Sequence, residues 1–405
     1  MNTGVQRVAR RLCEALRQHG PVTPLLWVPT LAAYCRPAQA EQDYLERPFH
    51  RQHKPTPSPE RTLAPVFWAE MLRHLRHRHN RIHWQAEAGA NDILLVPDIF
   101  QDNRRDILSQ APRWFPGQMA AIFYDASPLR NPQGSKSREQ QTFPEYVRAL
   151  AAFDKVLCPS HETEVDLKFY WRKFGLPAAP ILVDPLPTDF GPRATVTPPP
   201  HRDRPRVLYV ASLHPRKNHL TLLAAAELLW QEGLQFELLL IGRTTTHGGP
   251  SVSAKLKQLH QRHRPVRWLG HVNDTSLHKA YQESYFSIYP SIHEGFGLPI
   301  LESLWHGRPC ICGENGAIGE VAVGGGCLAV NQQDPVSLAA GMRRLLTEPT
   351  TYNRLSTEAI NRQFRSWNDY AGALLRTLQT APQQTATARA QSGNASAGFA
   401  ANQVR

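Results

Sequence analysis

Short apolar runs alternate along this chain with stretches of helical periodicity, most regularly after residue 200. The runs 207–210, 236–241, 266–269, 285–289, 309–312 and 327–330 read as short buried strands. Helical patterns fill the gaps. In 219–231, Leu220, Leu222, Leu223, Ala226, Leu229 and Trp230 are predicted to face a core, and 338–346 is amphipathic. Before residue 190, strand-like runs at 25–28, 93–96, 119–123, 156–158 and 181–183 are spaced for parallel βα units. Residues 2–19 open on a turn-forming Asn-Thr-Gly and continue as a helix with the apolar stripe Val5, Val8, Leu12, Ala15 and Leu16. The stretch 36–64, rich in Pro, Gln and His, reads as a surface excursion. Residues 191–206 hold five prolines without periodicity, which makes them a linker, and 366–375 reads as a closing helix.

The stretch Ser291 to Cys312, SIHEGFGLPILESLWHGRPCIC, combines these patterns most densely. A strand leads into the loop 293–297. A helix follows with Leu298, Ile300, Leu301, Leu304 and Trp305 at helical spacing, and after Gly307 comes another strand. Glycines at 295 and 297 let the backbone bend sharply and lie against a ligand. The N–H groups around Gly297 and Leu298 are unpaired donors at a helix start, where the dipole favours negative charge. Two carboxylates, Glu294 and Glu302, frame this anion site. They are reconciled with it by a ligand that carries both phosphate and hydroxyls, such as a nucleotide sugar.

Glu294 and Glu302 within EGFGLPILES resemble the donor-binding motif of the retaining GT-B glycosyltransferases, glycosyltransferase family 4. The resemblance implies an α/β chain with the GT-B fold, two Rossmann-like domains facing a central cleft. It implies that Glu294 binds the donor sugar's hydroxyls, with Gly295, Phe296, Gly297 and Leu298 beside it, and that Glu302 binds the ribose. Arg216 and Lys217, at a strand's carboxyl end above a helix start, match the family's pair that holds the diphosphate. TGVQRV resembles the glycine loop before the first helix, which makes Gly4 a donor-side residue. The family has a strand before that loop, whereas only Met1, Asn2 and Thr3 precede Gly4, so a missing first strand is expected. Tyr124 stands where the family often has a His, and Asp125 either binds the acceptor hydroxyl or caps the turn at Ser127-Pro128. Ser160 with Thr163 and Glu164 is chiefly a helix-cap pattern.

With 405 residues, two domains are expected: 1–190 for the acceptor and 207–365 for the nucleotide sugar, with 366–380 returning to the first and 381–405 a disordered tail. Hydrophobic content of 41% with 20% charged residues describes a globular protein, and no apolar run approaches the roughly 20 residues of a membrane span. Arg7, Arg10 and Arg11 are followed by no apolar signal core. Six cysteines without metal spacing read as reduced, as in a cytoplasmic protein. The net charge of +12 favours polyanions or an anionic membrane surface. Its densest patch, Arg73, Arg76, Arg78 and Arg81, is either a solvated helix face or a contact with lipid phosphate at the inner face of the membrane. Nucleic acid is not expected, because no aromatic interleaving or nucleic-acid-binding motif accompanies the patch.

The expected activity is hexose transfer from a nucleotide diphosphate sugar, with GDP-mannose the first guess, to a glycan or lipid-linked hydroxyl in polysaccharide biosynthesis. No cofactor is expected, and no metal either, since Asp-x-Asp does not occur. The rival readings are a catalytically inactive nucleotide-sugar-binding protein and a nucleotide-sugar epimerase or phosphorylase.

Overall fold

The computed structural model describes residues 4–46, 71, 73–132, 137–188, 193, 204–246 and 248–379. Most of the linker 191–206, the tail 381–405 and the part of 36–64 beyond 46 lie outside them. The molecule is α/β with two parallel sheets. In the N-terminal half, β3 (Ile93–Val96), β4 (Gln118–Ile122), β5 (Lys155–Cys158) and β6 (Ile181–Val183) lie side by side in chain order.

One expected strand belongs elsewhere. The run 25–28 forms β1 (Leu26–Val28), which pairs antiparallel with β2 (Ala33–Cys35) in a separate hairpin instead of joining the parallel sheet. The 3₁₀ turn Pro29–Leu31 joins the two directly, whereas a parallel partner needs a crossover of about a dozen residues.

The C-terminal half forms six strands in the order β12-β11-β10-β7-β8-β9, all parallel. These are β7 (Arg206–Val210), β8 (Glu237–Ile241), β9 (Val266–Trp268), β10 (Phe286–Tyr289), β11 (Cys310–Gly313) and β12 (Cys327–Val330). The chain builds outward from β7 through β8 to β9, then returns to the other side of β7 for β10. That reversal leaves a crevice between the loops at the carboxyl ends of β7 and β10, where open α/β sheets bind ligands. Both loops carry the charged residues singled out in the sequence.

The helix His219–Gln231 buries Leu222, Leu223, Ala226, Leu229 and Trp230 against this sheet. Leu220 is not among them. It is 47% exposed, and His219, 3% exposed, takes the buried position at the helix start instead.

The closing helix Trp367–Gln379 completes the core of the other half. Trp367, Tyr370, Ala371, Leu374 and Leu378 pack with Val8, Leu12, Ala15 and Leu16 of the helix Gly4–Leu16 and with Ala120, Ile122 and Leu157 of the sheet. Where the chain crosses between halves, Arg193 donates to the carbonyls of Ala359 (2.9 Å), Ile360 (2.8 Å) and Arg362 (3.2 Å), closing the end of the helix Pro349–Asn361.

Leu374→Ala should therefore leave a cavity that costs about 2–5 kcal/mol. Leu220→Ala should stay within about 0.5 kcal/mol, as exposed substitutions do. Urea unfolding of both variants measures the contrast, and equal midpoints would contradict this placement of the two leucines.

Candidate active site

After β7 the chain makes a 3₁₀ turn, Pro215–Lys217, with Asn218 in the left-handed region at φ 58° before the next helix begins. This turn projects Arg216 and Lys217 toward the loop after β10. The two loops are tied through their backbones, as Ile292 N–H donates to the Arg216 carbonyl at 2.8 Å. Glu294 then lies between both cations, with Arg216 Nη1 at 2.7 Å from one carboxylate oxygen and Lys217 Nζ against the other. Lys217 Nζ also donates to Tyr289 Oη at 2.9 Å, and Arg216 Nη1 to the His293 carbonyl at 3.1 Å.

Lys217 and Glu294 are buried and Arg216 is partly buried, so their charges act on one another through little water. Burial alone would raise the Glu294 carboxyl, but Lys217 and Arg216 overturn it and hold it down to about 2. Lys217 goes the other way. Burial, only partly offset by Glu294, lowers its ammonium to about 8. Arg216 is shifted up despite its burial, because Glu294 faces it.

The glycine loop turns toward the N-terminal half. A Cβ on Gly295 would meet the Tyr124 carbonyl oxygen at 1.8 Å, so only glycine lets the backbones approach this closely. Ser160 Oγ donates to the Gly295 carbonyl at 2.8 Å and also caps the helix His161–Lys173 through a capping box with Thr163. Phe296 packs against the hydrophobic clusters of both halves. Gly297, at φ 129°, starts the helix Leu298–Trp305, and Leu298 is half-buried. Tyr124 spends its hydroxyl on the Pro97 carbonyl at 2.6 Å. Asp125 Oδ1 accepts from Ser127 N–H at 2.8 Å, which is the turn-capping alternative.

Glu302 sits apart from this cluster. Tyr281 Oη donates to its Oε2 at 3.0 Å, and Arg7 Nη1 to its Oε1 at 3.1 Å, while Arg7 Nη2 reaches Asp274 at 3.2 Å. Burial raises the Glu302 carboxyl, with Arg7 and Tyr281 opposing. Arg7 thus links the first helix to the C-terminal half. Sequence reasoning counted it only among the charges near the N-terminus. Gly4 begins that helix as an exposed residue, with open space where a side chain would stand.

Between the halves opens a cavity of about 480 Å³, lined on one side by Arg216, His293 and Glu294 and on the other by Ser127, Arg130 and Glu162. Lys217 lies behind that lining. Arg130, with its guanidinium against Asp166 and 2.6 Å from Glu162, and the imidazole of His293 were not singled out in the sequence. No local pattern marks them, because they converge only across the cleft. Glu162, Asp166 and His293 offer ligand-type atoms within 4.8 Å of one another, which could hold a metal ion. The Arg130 guanidinium, however, already supplies the positive charge between the two carboxylates.

The family described as Glycosyl transferases group 1 matches residues 204–348, the six-stranded half with its crevice. Among curated proteins, a serotype-specific mannosyltransferase WbdA of Escherichia coli is 27% identical over 266 residues, 59% of this chain and 32% of its own length. The O-antigen chain mannosyltransferase B of Escherichia coli is 36% identical over 132 residues, 32% of this chain and 34% of its own. The chain thus spans about a third of the length of these relatives. Among solved structures, a glycosyltransferase from Rickettsia africae aligns with TM-score 0.58 and 16% identity, covering 93% of this chain and 94% of its own. A sucrose-phosphate synthase from Thermosynechococcus elongatus aligns with TM-score 0.56 and 19% identity, covering 99% and 94%. The chain has the GT-B fold, and its residues 204–348 match the glycosyl transferases group 1 family.

Proposed function

We propose that this chain is a retaining glycosyltransferase that moves a hexose from a nucleotide diphosphate sugar to a hydroxyl of a glycan or lipid-linked acceptor, in polysaccharide biosynthesis. The observation that carries the proposal is the buried Arg216–Glu294–Lys217 cluster at the point where the strand order reverses. Such a cluster offers a diphosphate a fixed positive charge at Arg216 and offers sugar hydroxyls a carboxylate kept ionised. Preorganised charge of this kind is the main resource for stabilising a leaving diphosphate. The new bond to the anomeric carbon forms on the face from which the diphosphate departs, and the departing phosphate oxygen takes the acceptor's proton. The likeness to mannosyltransferases makes GDP-mannose the first donor to try.

Glu294→Gln removes a charge-assisted hydrogen bond of roughly 1.5–3 kcal/mol, so kcat/KM for GDP-mannose should fall about 10- to 150-fold. It should also lower the melting temperature, since Arg216 and Lys217 lose their buried counter-charge. Steady-state kinetics beside thermal unfolding checks both, and a wild-type rate in the variant would sink the assignment.

Titration of Lys217 gives the site a pH dependence. Above about pH 8 the ammonium loses its proton, and the cluster drops from one net positive charge to none. Affinity for a nucleoside diphosphate should therefore be level below that pH and weaken above it. Lys217→Arg should remove the weakening. Calorimetric titration with GDP across pH 6 to 10 reads the effect, and a level wild-type profile would contradict it.

The acceptor-side half is also proposed to meet an anionic membrane surface. Arg73, Arg76, Arg78 and Arg81 are all exposed, and Leu75 among them is 48% exposed. No helix among the described residues is long and apolar enough to cross a membrane. Each Arg near anionic lipid is worth about 1 kcal/mol. Co-sedimentation with anionic vesicles should be strong for the wild type, weaker in salt, and largely lost when all four are changed to Gln. Equal binding by both proteins would rule the patch out.

A further inference from the structure

Where the two sides of the cavity meet, His293 faces Arg130, Glu162 and Asp166 of the N-terminal half, a wall of polar groups that the donor-side reading leaves unused. His293 lines the cavity, yet its Nε2 is buried without a hydrogen bond and faces Asp166 Oδ2, also unbonded, at 3.5 Å. Asp166 is 3% exposed. Its other oxygen is engaged by Arg130, which reaches on to Glu162. A carboxylate 3.5 Å from one ring nitrogen favours the proton there, which assigns the tautomer as Nε2–H and leaves Nδ1 as the acceptor. The Nε2 edge is turned to Asp166, so the cavity meets the other edge. Ser127, whose Oγ is likewise buried without a hydrogen bond, stands across from it in the lining.

We propose that His293, held by Asp166, binds a hydroxyl of the acceptor, and that this wall admits an uncharged saccharide. The proposal rests on the glycosyl-transfer reading. His293 and Glu294 line the same cavity, so a hydroxyl bound at the ring shares it with the carboxylate assigned to the donor sugar. The charge count sets the substrate class. Arg130 contributes one positive charge against two negative ones from Glu162 and Asp166, and His293 is kept neutral by burial and by the nearby Arg130. A net negative wall repels a phosphorylated or acidic sugar. It also offers a hydroxyl, which both donates and accepts, partners of each kind. Asp166 is a positioning residue here, acting through the imidazole.

The test uses the full chain saturated with GDP and ligand-observed NMR with methyl α-D-mannopyranoside, methyl α-D-glucopyranoside and mannose 6-phosphate as probes. At least one neutral glycoside should bind. His293→Ala should weaken it about two- to tenfold, as the loss of one hydrogen bond does. His293→Gln, whose amide oxygen still accepts, should restore part of the binding, and GDP affinity should hold in both variants. The ¹⁵N shifts of the His293 ring should report Nε2–H in the wild type and change in Asp166→Asn. Unchanged glycoside binding in His293→Ala, absence of binding by both neutral glycosides, or tighter binding of mannose 6-phosphate would each overturn the proposal. Glycoside binding that depends on His293 in a protein that turns over no nucleotide sugar would instead sink the transferase reading, and with it the naming of this hydroxyl as an acceptor's.

Discussion

A carboxylate buried between two cations holds together the two loops that form the crevice. Glu294 stays ionised under protein only because Arg216 and Lys217 sit against it, and they keep their places because Glu294 is there. Buried ion pairs of this kind stabilise little overall, but removing one partner strands the others. The strand order brings them together. With β7 and β10 adjacent, two loops far apart in sequence leave the sheet side by side, and the Ile292 to Arg216 backbone hydrogen bond fixes their spacing.

The same loop makes close contact with the other half. Gly295 lies against the Tyr124 carbonyl, Ser160 holds the Gly295 carbonyl, and Phe296 belongs to both cores. Glu320 adds a charge-assisted link, accepting from the His161 and Glu162 N–H groups at 2.8 Å each, at the positive end of the helix His161–Lys173. Arg7 makes a further link through Glu302 and Asp274. A molecule bound beside Glu294 therefore touches the elements that set how the halves face each other.

The C-terminal half was largely legible in the sequence because its signals are local. Largely apolar strands such as 286–289, the glycines at 295 and 297, and the Arg216-Lys217 pair after a strand all lie within a few residues of the feature they imply. What escaped was set by distance. Arg7 and His293 meet their partners only across the cleft, and Arg130 and Asp166 pair over 36 positions of sequence, so nothing in their neighbours' spacing marks them. The hairpin of β1 and β2 escaped for another reason, since an apolar run has the same pattern whether its partner is parallel or antiparallel. Leu220 shows the limit of helical periodicity. It is the second residue of its helix, and the first turn is placed by the left-handed residue Asn218 as much as by the apolar stripe.

The central claim is that the crevice between β7 and β10 binds the diphosphate of a nucleotide sugar through Arg216. Calorimetric titration of the wild type and Arg216→Ala with GDP and UDP at neutral pH tests it most directly. The wild type should bind at least one of the two, and the variant should lose at least about tenfold in affinity, the scale of a hydrogen bond to a charged group. Equal affinity in the two proteins, or no binding of either nucleotide by the wild type, would contradict it.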